Sequence, residues 1–269
     1  MKRFLIILIL GWACDLSAQE FPHPNAHAHN DYLHSRPLQE ALENGFISVE
    51  ADVYLIDGEL YVSHEKPVKI DPSKTLKKLY LDPLMLRARQ HDGKIYDGYE
   101  GFFYLMIDIK SDGISASKIL NDQLTDYREI LSITTDSTEE KGKPVKVFLS
   151  GNRTGKPVGD IMNEKVHLFS LDGKPEDLGK NIPSVLMPVV SDNYWNFLSW
   201  RGSGTVSAEE EIRLNDFIQK AHNENKKVRL WGGPDTPKIW DYLFNKGVDL
   251  INTDKLNELA DFLSDNIKE

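Results

Sequence analysis

The stretch "AHAHNDY", residues 26–32, sets two imidazoles two positions apart and follows them with an amide and a carboxylate. On a strand, His27 and His29 point to one face, so the pair can bind a metal, act as acid and base, or comprise one reactive imidazole and a supporting neighbour. Further along, "FISVEADV" (46–53) places Ser48, Glu50 and Asp52 on one face and Ile47, Val49, Ala51 and Val53 on the other. "FFYLMIDIK" (102–110) repeats the arrangement, with Tyr104, Met106, Asp108 and Lys110 opposite Phe103, Leu105, Ile107 and Ile109. Charges occur only toward the C-terminal ends of these runs.

After Asp52, the Asp57-Gly58 pair in "YLIDGELYVSH" is a strong hairpin-turn signal. A turn centred there makes paired residue numbers sum to about 115, which brings His64 opposite Ala51 and Asp52. His29 ends the preceding strand and reaches the same place. Three carboxylates (Glu50, Asp52 and Asp108) crowded in a low-dielectric site repel one another, and a hard divalent cation with oxygen ligands, Mg²⁺ or Ca²⁺, holds such a set ionised. Imidazoles titrate close to neutral pH and serve as base and acid. Together with the Lys110 ammonium they suit an anionic, phosphate-like centre, and the set reads as phosphodiester cleavage.

The elements that must position these groups are legible as an alternation. Strand-like runs fall at 25–29, 46–53, 102–110, 145–150, 166–171, 185–190, 228–231 and 248–252. Helix-like stretches lie between them, clearest at 37–44, 115–131, 208–223 and 238–245, with Ser35 placed to cap the first and Gly45 to end it. Eight such alternations over about 250 residues are the pattern of an α/β fold, a single (β/α)8 TIM barrel whose C-terminal mouth carries the chemistry.

The first residues, with Lys2 and Arg3 before an apolar run from Phe4 to Ala13 and small residues at Ser17 and Ala18, form a secretory signal peptide, residues 1–18, leaving residues 19–269 as the barrel domain. Cleavage is expected after Ala18, and export to the periplasm or the exterior follows. Cys14, the only cysteine, offers a second option as a lipid-modified anchor, but Gly11 and Trp12 fit poorly before it. Loss of Lys2, Arg3 and Asp15 takes the net charge from −10 to −11. Such acidity argues against nucleic acid as a partner.

His29-Asn30, Glu50-Ala51-Asp52 and Asp57-Gly58 leading to His64 resemble the glycerophosphodiester phosphodiesterase and phosphatidylinositol-specific phospholipase C superfamily of barrels. "AHNDY" with "EADVYLIDGELYVSH" looks most like its phospholipase C-like branch, and "DIK" (108–110), Trp231 in "VRLW" and "GVDLINTD" (247–254) extend the match over nearly the whole mature chain. The resemblance implies that Glu50, Asp52 and Asp108 are metal ligands, His29 and His64 the acid/base pair and Lys110 a phosphate contact, with Asn30 and Trp231 on the substrate. The chain departs from the glycerophosphodiesterases where Asn30 and Asp31 replace the usual Arg-Gly. It departs again at the third ligand position, where aspartate is closer to the sphingomyelinase D-like members. These departures leave the substrate class open.

Other residues carry plainer readings beside sharper ones. His27, deeper in the barrel, is expected to be a hydrogen-bonded core residue. Arg153, after the fourth strand, either binds phosphate or lies solvated in its loop. His167 on the fifth strand is expected in the core or half-exposed, and His23, His34, His91 and His222 at the surface. Tyr194, Trp195, Phe197 and Trp200 either cover the mouth, where they would meet an apolar substrate tail and bring the rim into transient contact with a membrane, or close the barrel rim as a short helix. The run 134–144 is expected to be a solvated loop.

The leading functional reading is a secreted, metal-dependent phosphodiesterase acting on a glycerophosphodiester or a phospholipid head group. A second makes His27 and His29 a transition-metal pair of the amidohydrolase type, which needs more histidines at later strand ends than this chain supplies. A third is a barrel that binds a phosphorylated ligand without turning it over.

Overall fold

The computed structural model describes residues 22–135, 138–153 and 166–266; the leader expected at 1–18 lies outside them. Strand β1 (His23–Ala28) leads to the long β2 (Phe46–Ile56), which turns back into β3 (Glu59–Val62), and β4 (Phe103–Ile109) follows. Next come the short β5 (Thr134–Thr135) and β6 (Thr138–Glu139), then β7 (Val145–Gly151), β8 (Val166–His167) and β9 (Ser170–Gly173). The chain finishes with β10 (Val189–Asn193), β11 (Lys227–Trp231) and β12 (Leu250–Thr253). Strands β1, β2, β4, β7, β9, β10, β11 and β12 pair in parallel, and the β1–β2 and β1–β12 pairings close them into the expected eight-stranded barrel. Strands β5, β6 and β8 form a separate antiparallel sheet.

The two-residue alternation builds both layers. Val49, Ala51, Val53, Leu105, Ile107 and Leu149 are fully buried beneath the helices. The inward positions change from Tyr104, Met106 and Phe148 in the barrel floor to Asp52 and Asp108 at the mouth. The Asp57-Gly58 turn has positive φ at both residues, as a primed hairpin turn requires, and pairs Val53 with Val62 and Tyr54 with Tyr61, the register anticipated from the sequence.

Helix boundaries show where local signals were outweighed. Helix Ala208–Asn223 has the anticipated limits, with a capping box in which Ser207 Oγ accepts from Glu210 N at 3.2 Å and Glu210 Oε2 accepts from Ser207 N at 3.1 Å. The first helix is Gln39–Glu43, and Ser35 does not cap it: its hydroxyl donates to Glu40 Oε1 at 2.7 Å. Gly45 does end that helix, at φ 72°. The long helix expected at 115–131 is Gly113–Leu124 followed by a 3-10 turn, begun by Asp112, whose carboxylate accepts from Ser115 N at 2.8 Å. The run 166–171 splits between β8 and β9, so His167 belongs to the small sheet and not to the mouth. The sixth strand starts at Val189, because Pro183 and Pro188 cannot donate to a ladder. His23 is buried, not superficial, its backbone N donating to Gly45 O at 2.7 Å. Residues 138–139 of the expected loop form a hairpin strand.

Asp31 ties down the loop that follows β1. Its Oδ2 accepts from Leu38 N at 2.6 Å and from the Tyr80 hydroxyl at 2.8 Å, holding Leu38 at φ 63° and ψ −44°. This is a strained γ-turn conformation that costs about 1–3 kcal/mol. Burial pushes the Asp31 carboxyl from 3.8 up to about 6, against the pull of these two donors. Between those values the native state binds the extra proton, so this carboxyl stabilises the fold least once the pH has risen past 6. Asp31→Asn removes the linkage. The stability difference between wild type and variant, followed by denaturant titration from pH 4 to 7, is expected to move by about 2 kcal/mol against the wild type as the pH rises. A pH-independent difference would refute the assignment.

Candidate active site

His29 follows β1 as its extension, with its N donating to Thr253 O at 3.0 Å. The chain then turns at Asn30, which adopts φ 48°, a conformation asparagine tolerates better than most residues. The turn leaves the His29 ring in the mouth, where Nδ1 bonds Asp254 Oδ1 at 2.7 Å and Nε2 lies 3.9 Å from Glu50 Oε2. His64 mirrors it from the hairpin side: Ser63 N donates to Asp52 O at 2.9 Å, and His64 Nδ1 bonds Asp52 Oδ2 at 2.7 Å. A carboxylate on Nδ1 places the proton there in each neutral ring, which makes Nε2 the proton-exchange atom; in His29 that atom is met by Asn30 Nδ2 at 3.2 Å. The two side chains are 27% and 57% exposed, so both reach solvent.

His27 differs on each count. It is fully buried, its Nδ1 bonds Ser48 Oγ at 2.7 Å, and burial, then the neighbouring Arg229 guanidinium, push its pKa down to about 3. A neutral, enclosed imidazole supports the floor of the site, as the core reading of His27 expected.

The direct pairing of Asp52 with Asp108 across β2 and β4 sets two carboxylates side by side, and Glu50 stands one inward position below Asp52. Glu50, Asp52 and Asp108 each offer an oxygen within 4.8 Å of the others. Lys110 Nζ lies 3.3 Å from Asp52 Oδ2 and 3.3 Å from Asp108 Oδ1. The Tyr32 hydroxyl donates to Asp52 Oδ2 at 2.9 Å and lies 3.0 Å from Asn30 Oδ1. Burial drives the Glu50 carboxyl upward, but Arg229, 2.9 Å from its Oε2, and the two histidines hold it well below the usual range. Asp108 is raised, chiefly by burial and then, against the pull of Lys110, by repulsion from Asp52 and Glu50. Lys110 is raised by those same carboxylates, although burial works against it.

This donor set fits a hard cation. Asp52 Oδ2 is engaged by His64 and Tyr32, whereas Asp52 Oδ1 is buried without a hydrogen-bond partner and Asp108 Oδ1 has only the Lys110 ammonium, 3.3 Å away. A buried acceptor without a donor is costly, and a dication would satisfy Asp52 Oδ1 and relieve the repulsion that raises Asp108. The backbone leaves room for it: a Cβ on Gly151 would meet Asp108 Oδ1 at 2.0 Å, and Gly151 has φ 66°.

A cavity of about 850 Å³ opens over this cluster and is lined by all the residues anticipated to act there except Asp52, which is buried beneath His64 and Lys110. Arg153 reaches the cavity wall and donates to the Asp172 carbonyl. Trp231 stands 40% exposed on the rim. Of the aromatic group after β10, Tyr194 and Phe197 are buried and close the rim, while Trp195 is exposed and its Nε1 donates to Gly232 O at 2.7 Å.

Tyr32, which the sequence offered either as an orienting group for His29 or as the start of the loop, orients Asp52 instead. Three residues escaped the sequence reading. Asp254 reaches the site from a loop, where alternation gives no signal. Arg229 and Asp172 do follow strand alternation, being two positions before Trp231 and two after Ser170. Burial pushes Asp172 up to about 7 despite nearby Arg229, and Ser191 Oγ donates to it at 2.7 Å.

Comparison with known proteins places the chain's family and fold. The chain is 28% identical to the altered inheritance of mitochondria protein 6 homolog of Arthroderma benhamiae, over 93% of this chain and 86% of that one. It is 29% identical to altered inheritance of mitochondria protein 6 of Saccharomyces cerevisiae, over 86% and 68% respectively. The fold is similar to a glycerophosphodiester phosphodiesterase from Parabacteroides distasonis, with a TM-score of 0.56 and 15% identity over 90% of this chain and 98% of that one. It is also similar to an Oleispira antarctica phosphodiesterase in complex with the product sn-glycerol-3-phosphate, with a TM-score of 0.51 and 12% identity over 90% and 97%. Residues 15–167, more than half of the chain, match the AIM6-like phosphodiesterase domain. The chain, a phosphodiesterase-like TIM barrel, thus belongs to the family of AIM6-like phosphodiesterase domains.

Proposed function

We propose that this protein is an exported, divalent-cation-dependent phosphodiesterase that cleaves a glycerophosphodiester or the head-group diester of a phospholipid. The observation that carries the reading is the pair of histidines, each oriented through Nδ1 by a carboxylate, with Lys110 and three clustered carboxylates between them. Glu50, Asp52 and Asp108 would hold Mg²⁺ or Ca²⁺, which when bound supplies positive charge to the phosphate.

The chain's own groups account for the remaining steps. Lys110 and Arg153 attract and orient the anionic diester, and Trp231 packs beside it at the rim. One histidine takes the proton of a substrate hydroxyl neighbouring the phosphate as that oxygen bonds to phosphorus. The bond from phosphorus to the leaving alcohol breaks, and the other histidine gives that alcohol its proton. The products are an alcohol and a cyclic phosphate; where the substrate has no such hydroxyl, water takes its place and the product is a monoester. The bound product of the Oleispira antarctica neighbour supports a small phosphodiester as the substrate class.

Phosphorus NMR on the protein incubated with lysophospholipids, glycerophosphodiesters and phosphoinositides tests this reading. New cyclic-phosphate or monoester resonances are expected for one class, and no turnover of any diester with Mg²⁺ or Ca²⁺ present would refute it.

Gly151→Ala tests the cradle separately. Its Cβ would displace the Asp108 carboxylate, so divalent-ion affinity measured by calorimetry is expected to fall by about tenfold or more. Unchanged affinity in a folded variant would remove Asp108 from the ligand set. Export is tested by N-terminal sequencing of protein made in a Gram-negative host: a start at Gln19 is expected, and an acylated Cys14 would replace it with an anchored form.

A further inference from the structure

Nine large hydrophobic side chains are exposed among the described residues, and six of them leave the C-terminal side of the barrel: Leu33, Val68, Ile70, Ile114, Trp195 and Trp231. Val68 is fully exposed and Leu33 is 72% exposed. Scattered apolar residues at a surface are ordinary, but their concentration on one face of an acidic protein is not.

Val68 and Ile70 sit in the loop that runs from His64 to Thr75, and their neighbours are lysines. Residues 65–78, "EKPVKIDPSKTLKK", hold five lysines against Glu65 and Asp71, in a chain whose net charge is −10. Lys66, Lys69 and Lys74 are exposed and have no ion pair with a described carboxylate; Lys77 reaches Asp126 at 3.5 Å. Beside the loop runs a groove of about 690 Å³ whose walls include Pro67, Ile70 and Pro72 together with Lys69 and Lys74.

We infer that this rim loop is a docking surface for an anionic lipid bilayer, with Val68 and Ile70 entering the interface and Lys66, Lys69 and Lys74 meeting the head groups. Charge complementarity selects that partner. A lysine near an anionic bilayer contributes attraction that decays within a Debye length, so Lys66, Lys69 and Lys74 draw this face in while the acidic remainder of the chain is repelled and turned away. Apolar side chains among the lysines then add burial at the head-group boundary. The same approach sets the mouth against the membrane, since Ser63 is bonded to Asp52 O and His64 opens the loop. The inference concerns the surface and does not rest on the chemistry proposed for the site.

Co-sedimentation of the mature chain beginning at Gln19, which carries neither the apolar leader nor Cys14, tests it with vesicles of phosphatidylcholine alone and of phosphatidylcholine mixed with phosphatidylglycerol. Partition is expected onto the mixed vesicles, weakening as salt is raised and much lower on phosphatidylcholine. Val68→Asp is expected to reduce partition by about tenfold, and the triple change of Lys66, Lys69 and Lys74 to Glu by about tenfold or more. Both variants should keep the wild-type melting temperature, because these side chains are exposed. Equal partition onto both vesicle types, none onto either, or binding that survives both variants would overturn the inference. So would a dimer in solution that Val68→Asp dissolves, which would give the face to a second copy of the chain. None of these readouts requires turnover, so failure here is separable from failure of the phosphodiesterase reading.

Discussion

Replacing His29 or His64 by alanine is expected to lower turnover of the preferred diester by about a hundredfold or more while leaving the fold intact. The magnitude follows from position. Each ring presents Nε2 to the cavity, each is held through Nδ1 by a carboxylate at 2.7 Å, and neither is buried deeply enough for its loss to leave a core void. If the two exchange protons in one step, removing both costs little more than removing either, since residues acting as a unit are not additive. Asp254→Asn keeps the hydrogen-bond length but withdraws the charge that, with Glu50, raises His29 against burial. A smaller loss of turnover is expected there, with the His29 limb of the pH–rate profile moved to lower pH. Full activity in His64→Ala would remove the acid/base assignment.

Chelation is expected to abolish activity and Mg²⁺ or Ca²⁺ to restore it, because a set of oxygen donors prefers those ions to softer metals. Asp52→Asn conserves shape and removes one charge from a cluster whose buried Oδ1 has no other partner. Metal affinity is expected to fall by roughly ten- to a hundredfold, and turnover with it, since the same carboxylate orients His64. His27→Ala is expected to leave metal affinity nearly unchanged: its Nδ1 is committed to Ser48 and its ring is closed off beneath Glu50. Its cost falls on stability instead, about 1–3 kcal/mol for the Ser48 hydroxyl left without its partner. Metal content and diesterase activity of the two variants separate this site from a histidine-ligated one. Zinc lost from His27→Ala but kept in Asp52→Asn would sink the phosphodiesterase reading.

The barrel and most of its site were legible because both depend on local periodicity. Side chains alternate with period two on any strand, so Glu50, Asp52, Asp108 and Lys110 declare a common face before any fold is known. The Asp57-Gly58 turn dictates a register that carries His64 back to Asp52, and the pairing of Val53 with Val62 follows from it. What escaped detection had no such period. Ser35 carries a cap signal, yet Asp31 reaches from the loop to Leu38 and starts the helix later. The strand expected at 166–171 divides because Val166 and His167 find an antiparallel partner in β5, a long-range pairing that propensity does not encode.

By itself, then, the amino-acid order determined the eightfold alternation, the inward carboxylates, the hairpin that returns His64 and the concentration of charge at strand ends. Only the closed barrel decided which oxygen of Asp52 remains without a donor, which carboxylate steers each histidine, and that Arg229 reaches across the interior to Glu50 at 2.9 Å. These contacts join residues as far apart as 179 and 225 positions. Their existence depends on the curvature that brings the last strand beside the first, and curvature is a property of the whole sheet and of no segment within it.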